Sequence, residues 1–203
     1  MPLLLKNNVM SDVQLGVWRI DESYEDFFIL YPWLDCLRNS IESSHKSVQR
    51  RCEILAVRLL IREIIDEEVT LFHEKDGRPY LSNGLNISIS HTKGYAVIIV
   101  SKSKIVSVDI EYISQRVLKI KDKFMRTDEH ACSLIEYLIH WCTKETLYKI
   151  FVGDNLTFTK MQLLSINGDN SNGIITAKNI FRDQEVNVYY FIINDAVITY
   201  AAI

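Results

Sequence analysis

Tyr95-Ala-Val-Ile-Ile-Val-Ser-Lys-Ser-Lys-Ile-Val-Ser-Val-Asp-Ile-Glu111 is the stretch on which the fold turns. Two apolar, β-branched runs, Tyr95–Ser101 and Ile105–Glu111, flank the polar piece Lys102-Ser-Lys104, and this pattern predicts two strands joined as a hairpin. Upstream, Leu85 to Ser90 alternates like another strand, Lys75-Asp-Gly-Arg-Pro79 is a turn by composition, and residues 12–20 form a further strand. Between them, Val48, Cys52, Leu55 and Leu59 recur at helical spacing, as do Ala56, Leu60 and Ile64, which predicts a helix from Lys46 to Ile65. Downstream, helices are expected from about Val117 to Phe151, with Thr127-Asp-Glu129 resembling a helix start. The remainder reads as four strands, Thr157–Ile166, Gly173–Phe181, Glu185–Ile193 and Ala196–Ile203, with Asn167-Gly-Asp-Asn-Ser-Asn-Gly173 as a turn.

Each half therefore offers helices followed by antiparallel strands, an α+β architecture. The halves divide at 1–104 and 105–203. The similar apolar strands Tyr95-Ala-Val-Ile-Ile-Val100 and Ala196-Val-Ile-Thr-Tyr-Ala-Ala202 suggest a pseudo-twofold duplication, although buried strands resemble one another for packing reasons alone.

The 203 residues, 48% of them hydrophobic, suffice for a substantial core. A net charge of −3 gives no support for general nucleic-acid binding. Cys36, Cys52, Cys132 and Cys142 lie far apart with no CxxC pair, so neither a zinc site nor a disulfide framework is indicated. Met1-Pro-Leu-Leu-Leu-Lys6 is too short for a signal-peptide core, and no apolar run approaches membrane-spanning length. The expectation is a cytoplasmic protein without a membrane association.

The chemistry-bearing residues lie where these elements end. On a strand, residues two apart share a face, so Asp109 and Glu111 of Val108-Asp-Ile-Glu111 point the same way. In Trp141-Cys-Thr-Lys-Glu-Thr-Leu-Tyr-Lys149, Glu145 and Lys149 are four apart on one helical face, a turn beyond Trp141. Together they offer three carboxylates and a lysine around one point. Carboxylate oxygens suit a hard cation such as Mg²⁺, and a cation plus lysine suits a phosphate ester. Taken singly, each motif has a plainer reading: solvated acids at a strand end, or a surface i,i+4 ion pair.

Ile87-Ser-Ile-Ser-His91 places Ile87, Ile89 and His91 on one face and Ser88 and Ser90 on the other. A histidine at a strand end is commonly structural, yet Ser90, Thr92 and Lys93 beside it are all phosphate-compatible donors. On the Lys46–Ile65 helix, Arg51, Arg58 and Arg62 fall within about 20° of one stripe. Arg78, held in a Gly-Arg-Pro turn, offers another guanidinium. Such arginines are either a solvated stripe or an anchor for a phosphate-bearing ligand.

Gly77-Arg78-Pro79, Ile89-Ser90-His91, Val108-Asp109-Ile110-Glu111 and Trp141-x-x-Lys144-Glu145-x-x-x-Lys149, in that order and spacing, resemble the 4′-phosphopantetheinyl transferases of the Sfp type. The motifs span roughly residues 45–152. Two positions depart from the family pattern: Ser107 stands where glycine is usual, and Arg78 where lysine is common. The resemblance implies transfer of 4′-phosphopantetheine from coenzyme A to a serine of an apo acyl or peptidyl carrier protein, with release of 3′,5′-ADP. It implies Mg²⁺, replaceable by Mn²⁺, held by Asp109, Glu111 and Glu145. Glu145 is the general-base candidate, and Lys149 would stabilise pyrophosphate charge and orient Glu145. CoA contacts are implied for Arg51 (preferred over Arg50 because it shares the arginine stripe), Arg78, Ser90, His91 and Lys144. A monomer is expected by the same likeness. The acids alone would also serve a Mg²⁺-dependent phosphohydrolase acting on a nucleotide pyrophosphate. A non-catalytic nucleotide-binding or carrier-docking module is the third reading, and the intact acid triad with Lys149 speaks against it.

Overall fold

Every residue of the strand β6 (Tyr95–Ser101) is buried, because it lies between two cores. Ala96, Ile98 and Val100 face the helix α3 (Val48–Ile64), while Tyr95, Val97 and Ile99 face a second sheet. Strand alternation thus fills both faces with apolar side chains, and an unbroken apolar run results. In the computed structural model, which describes residues 2–203, β6 is flanked by β2 (Val13–Arg19) and β5 (Asn86–Thr92). β1 (Leu3–Met10) completes a four-stranded antiparallel sheet of order β1-β2-β6-β5. The second sheet has five antiparallel strands in the order β7-β11-β10-β9-β8. These are β7 (Val106–Tyr112), β8 (Met161–Gly168), β9 (Asn172–Asn179), β10 (Gln184–Ile193) and β11 (Ala196–Ala202). β3 (Leu71–His73) and β4 (Pro79–Leu81) form a separate two-stranded ribbon.

Three cores stack in sequence. One lies between α3 with α1 (Tyr24–Leu30) and the four-stranded sheet. A second lies between the two sheets, built from Val13, Leu15 and Val17 on one side and Val106, Val108, Ile110 and Ile198 on the other. The third lies between α5 (Leu134–Ile150) and the five-stranded sheet. Each fully buried aliphatic side chain in them contributes roughly 1.5–3 kcal/mol. α3 packs tightly on β2 at Gly16, where a Cβ would sit 2.3 Å from Ile64 Cδ1. Five α-helices and eleven strands in three antiparallel sheets make the fold α+β among the described residues. The remaining helices are α2 (Arg38–Ser44) and the single turn α4 (Lys121–Phe124). None of the five is long and apolar enough to cross a membrane.

Three expectations need correction or restriction. β6 and β7 are not a hairpin: β6 pairs with β2 and β5, whereas β7 pairs with β11. The chain leaves one sheet and enters the other at residues 102–105, where the Asp12 carboxylate accepts from Lys102 N, Ser103 N and the Ser101 and Ser103 hydroxyls. Thr127-Asp-Glu129 does not open a helix. α5 starts at Leu134, where the Ser133 side chain accepts from Glu136 N, and Glu129 is instead drawn inside by Lys144. The duplication has no support in strand order, since four strands stand in one sheet and five in the other.

Candidate active site

The two large sheets meet edge to edge along β5 and β7, and side-chain hydroxyls bridge them. Ser88 Oγ accepts from Val108 N at 3.2 Å, Ser90 Oγ donates to Asp109 Oδ1 at 2.8 Å, and Thr92 Oγ1 accepts from Tyr112 N at 3.2 Å. Residues 88, 90 and 92 share one strand face, so alternation alone aims all three at β7. The same alternation on β7 sends Val108 and Ile110 into the inter-sheet core and turns Ser107, Asp109 and Glu111 toward α5. Ser107 Oγ donates to Thr146 O at 2.8 Å, so this serine fastens β7 to α5.

α5 supplies the rest. Lys149 Nζ donates to Asp109 Oδ1 and to Val108 O, each at 2.8 Å. Trp141 Nε1 donates to Glu111 Oε1 at 2.8 Å. Lys149 is therefore paired across to the strand, not along its own helix with Glu145 as in the plainer i,i+4 reading. Burial, reinforced by the Asp109 charge, raises the Glu145 carboxyl to about 7. Burial and Asp109 likewise raise Glu111 above its ordinary range. The second oxygen of Asp109, Oδ2, is buried without a partner. Cys142 lies beneath this group, and burial, then Asp109 and Glu111, push its thiol well above its usual range, which removes it as a nucleophile.

Three carboxylates thus crowd one lysine, leaving surplus negative charge and an orphaned oxygen. Among the described residues no three His, Cys, Asp or Glu side chains stand at metal-ligating distances. The donor set still fits a hard divalent cation, because all the oxygens are carboxylate and Asp109 Oδ2 lacks any other partner.

The expected CoA contacts divide. Arg78 lies half-exposed, paired with Asp76 at 2.8 Å, and lines a cleft of about 620 Å³ together with Lys149, Tyr80 and Tyr148. His91 and Ser90 stand at the seam, but the Ser90 hydroxyl is engaged with Asp109. Arg51 lies away from the seam: it donates to His45 O and Glu42 O and covers the Tyr24 ring. Its neighbour Arg50 is the one that touches His91. Lys144 is wholly enclosed, donating to Phe124 O and Glu129 Oε2 at 2.6 Å each, so no ligand reaches it. Sequence reasoning also passed over Glu53, a buried acid bound to both Arg50 and His91. Its one signal was an acid among the apolar residues of α3, four places after Gln49. A second cleft, about 810 Å³, opens beside Glu111 and Trp141 and carries Lys93, Arg116 and Lys119. Comparison with models of known protein families and with curated proteins finds no match.

Proposed function

We propose that this chain transfers 4′-phosphopantetheine from coenzyme A to a serine hydroxyl of an apo acyl or peptidyl carrier protein, releasing 3′,5′-ADP. The observation that carries this reading is the gathering of Asp109, Glu111, Glu145 and Lys149 from two distant motifs onto one β7–α5 face, with Ser90 and His91 of a third motif beside them.

Glu145 is half-buried and titrates near neutrality, so it stands balanced between base and acid at physiological pH. As base it takes the proton of the carrier serine. The serine oxygen then bonds to the β-phosphorus of the CoA pyrophosphate, and the bond from that phosphorus to the 3′,5′-ADP oxygen breaks. Lys149, held at Asp109, sets an ammonium where charge gathers on the pyrophosphate. Asp109, Glu111 and Glu145 would hold Mg²⁺ or Mn²⁺, which supplies charge neutralisation to the phosphates when bound. Ser90 acts one step back, fixing Asp109. Arg78 borders the cleft of about 620 Å³ and is the nucleotide contact on that side.

The test is incubation with CoA, Mg²⁺ and an apo carrier, read by intact mass of the carrier and by product analysis. The expected result is a carrier heavier by one phosphopantetheine with one 3′,5′-ADP released. CoA cleaved while the carrier stays unchanged would favour a phosphohydrolase, and CoA bound but intact would favour a binding module.

A further inference from the structure

Glu53 lies on α3 with 6% of its surface exposed, and three side chains converge on it. Gln49 Nε2 donates to Oε1 at 3.0 Å, while Arg50 Nη1 at 3.2 Å and His91 Nδ1 at 3.1 Å both reach Oε2. Arg50 Nη1 also touches His91 Nε2. A guanidinium can only donate, so Nε2 must accept. His91 is then neutral and carries its proton on Nδ1, where Glu53 receives it. Burial first, then the Arg50 charge, hold His91 below its ordinary range, in agreement with a neutral ring.

This arrangement assigns the roles. Both ring nitrogens of His91 are occupied, so it has no N–H to give to an anion. Arg50 has committed only Nη1. Its Nε and Nη2 groups remain, and 42% of its side chain is exposed. A cleft of about 180 Å³, lined by Arg50, Glu53, His91, Arg58 and His73, lies alongside. We propose that Glu53 is a positioning residue for anion binding: it fixes His91 in the Nδ1–H tautomer and, with it, aims the Arg50 guanidinium at a phosphate of the nucleotide substrate. The identity of that substrate rests on the transferase reading above; the Glu53–His91–Arg50 unit does not. Sequence reasoning had given the anion to His91 and Arg51, and here it passes to Arg50.

The test has two readouts. Long-range ¹H–¹⁵N correlation spectra, with the His91 signal assigned from its loss in His91→Gln, report the tautomer. Calorimetric titration with CoA, in the absence of carrier, reports binding. Wild type should show Nδ1–H, and Glu53→Leu should lose that preference. Glu53→Leu and Arg50→Gln should each weaken CoA binding about tenfold, the size of one charge-assisted hydrogen bond. The double variant should be no worse than Arg50→Gln alone, because Glu53 acts through Arg50. Glu53→Gln keeps an acceptor of the same shape, so it should retain the tautomer and lose less than about threefold. An Nε2–H tautomer in wild type, or additive losses in the double variant, would overturn the proposal. A Glu53→Gln loss as large as that of Arg50→Gln would do the same, whether or not the leucine variant folds. If wild type binds no CoA, the transferase reading falls, and titration of the same variants with inorganic pyrophosphate decides the role of Glu53.

Discussion

Lys144 and Lys149 lie five residues apart on α5, and each pairs with a carboxylate, yet the two pairs live in different surroundings. Lys144 and Glu129 are almost wholly enclosed, at 0% and 1% side-chain exposure. Every oxygen of Glu129 is used: Oε1 by Leu163 N, Oε2 by Arg126 N and Lys144. Lys149 and Asp109 stand at 28% and 7% exposure, and Asp109 keeps one buried oxygen without a partner beside two further acids. A dry pair whose carboxylate oxygens are both engaged fastens the 124–129 segment and β8 to α5. An incompletely satisfied pair at an open cleft is free to bind something. The carboxylate of the enclosed lysine has both oxygens engaged, whereas that of the partly open lysine keeps one oxygen unpartnered, although both lysines belong to one motif.

The largest effect that would sharpen this contrast is on Lys144. Replacing it with Met leaves Glu129 buried and unpaired, which should cost about 3–5 kcal/mol in urea unfolding. Adding Glu129→Gln, which removes the unpaired charge and keeps an acceptor, should return part of that loss; a single-variant cost near zero would mean that the pair is not sealed. Next comes Asp109→Ala, which should fold normally and lose about 100-fold of its Mg²⁺-dependent transfer. Full activity of that variant at limiting Mg²⁺ would remove Asp109 from the metal site.

Glu145→Gln should reveal a smaller, pH-dependent effect in the metal-free chain. The Glu145 carboxyl is raised from 4.5 to about 7, so the unfolded chain ionises first and wild-type stability falls as pH rises between those values. The glutamine variant escapes that loss. It should match wild type near pH 4 and exceed it above pH 7 by about 1–2 kcal/mol, after allowance for solvent screening. Equal stability at pH 8 would show that neither burial nor the Asp109 charge raises this carboxyl. The stability change of Lys149→Met should be smaller than that of Lys144→Met, about 1–2 kcal/mol, because Asp109 is buried but the Lys149 ammonium is partly solvated. A loss matching that of Lys144→Met would erase the distinction between the two lysines.

Periodicity carried much of the site. Alternation placed Ser88 with Ser90, and Asp109 with Glu111, on common faces, and helical spacing placed Glu145 with Lys149. None of these depends on what packs against the element. Pairing across the chain was not legible in the same way. The partner of β7 is β11, some ninety residues on, and an apolar strand carries no label for its neighbour. Burial of Lys144 was hidden for a similar reason, because its enclosure depends on Glu129 and Phe124 folding over it. Helical angle favoured Arg51 over Arg50 and misled, since the Glu53–His91 pair that draws in Arg50 spans two elements. Other signals were readable and missed: Ser23 and Asp26 form a capping box at α1, with Tyr24, Phe27 and Phe28 on its buried face.

The central claim is that the open carboxylate face of α5 performs proton transfer as well as holding a cation. Single-turnover transfer by Glu145→Gln, followed across a Mg²⁺ titration, tests it most directly. An amide oxygen still coordinates weakly but has no useful basicity. The prediction is a rate about 10²–10⁴-fold below wild type that excess Mg²⁺ does not restore, with CoA binding largely kept. Recovery to near the wild-type rate at high Mg²⁺ would contradict it, reducing Glu145 to a ligand and leaving the serine proton with another acceptor.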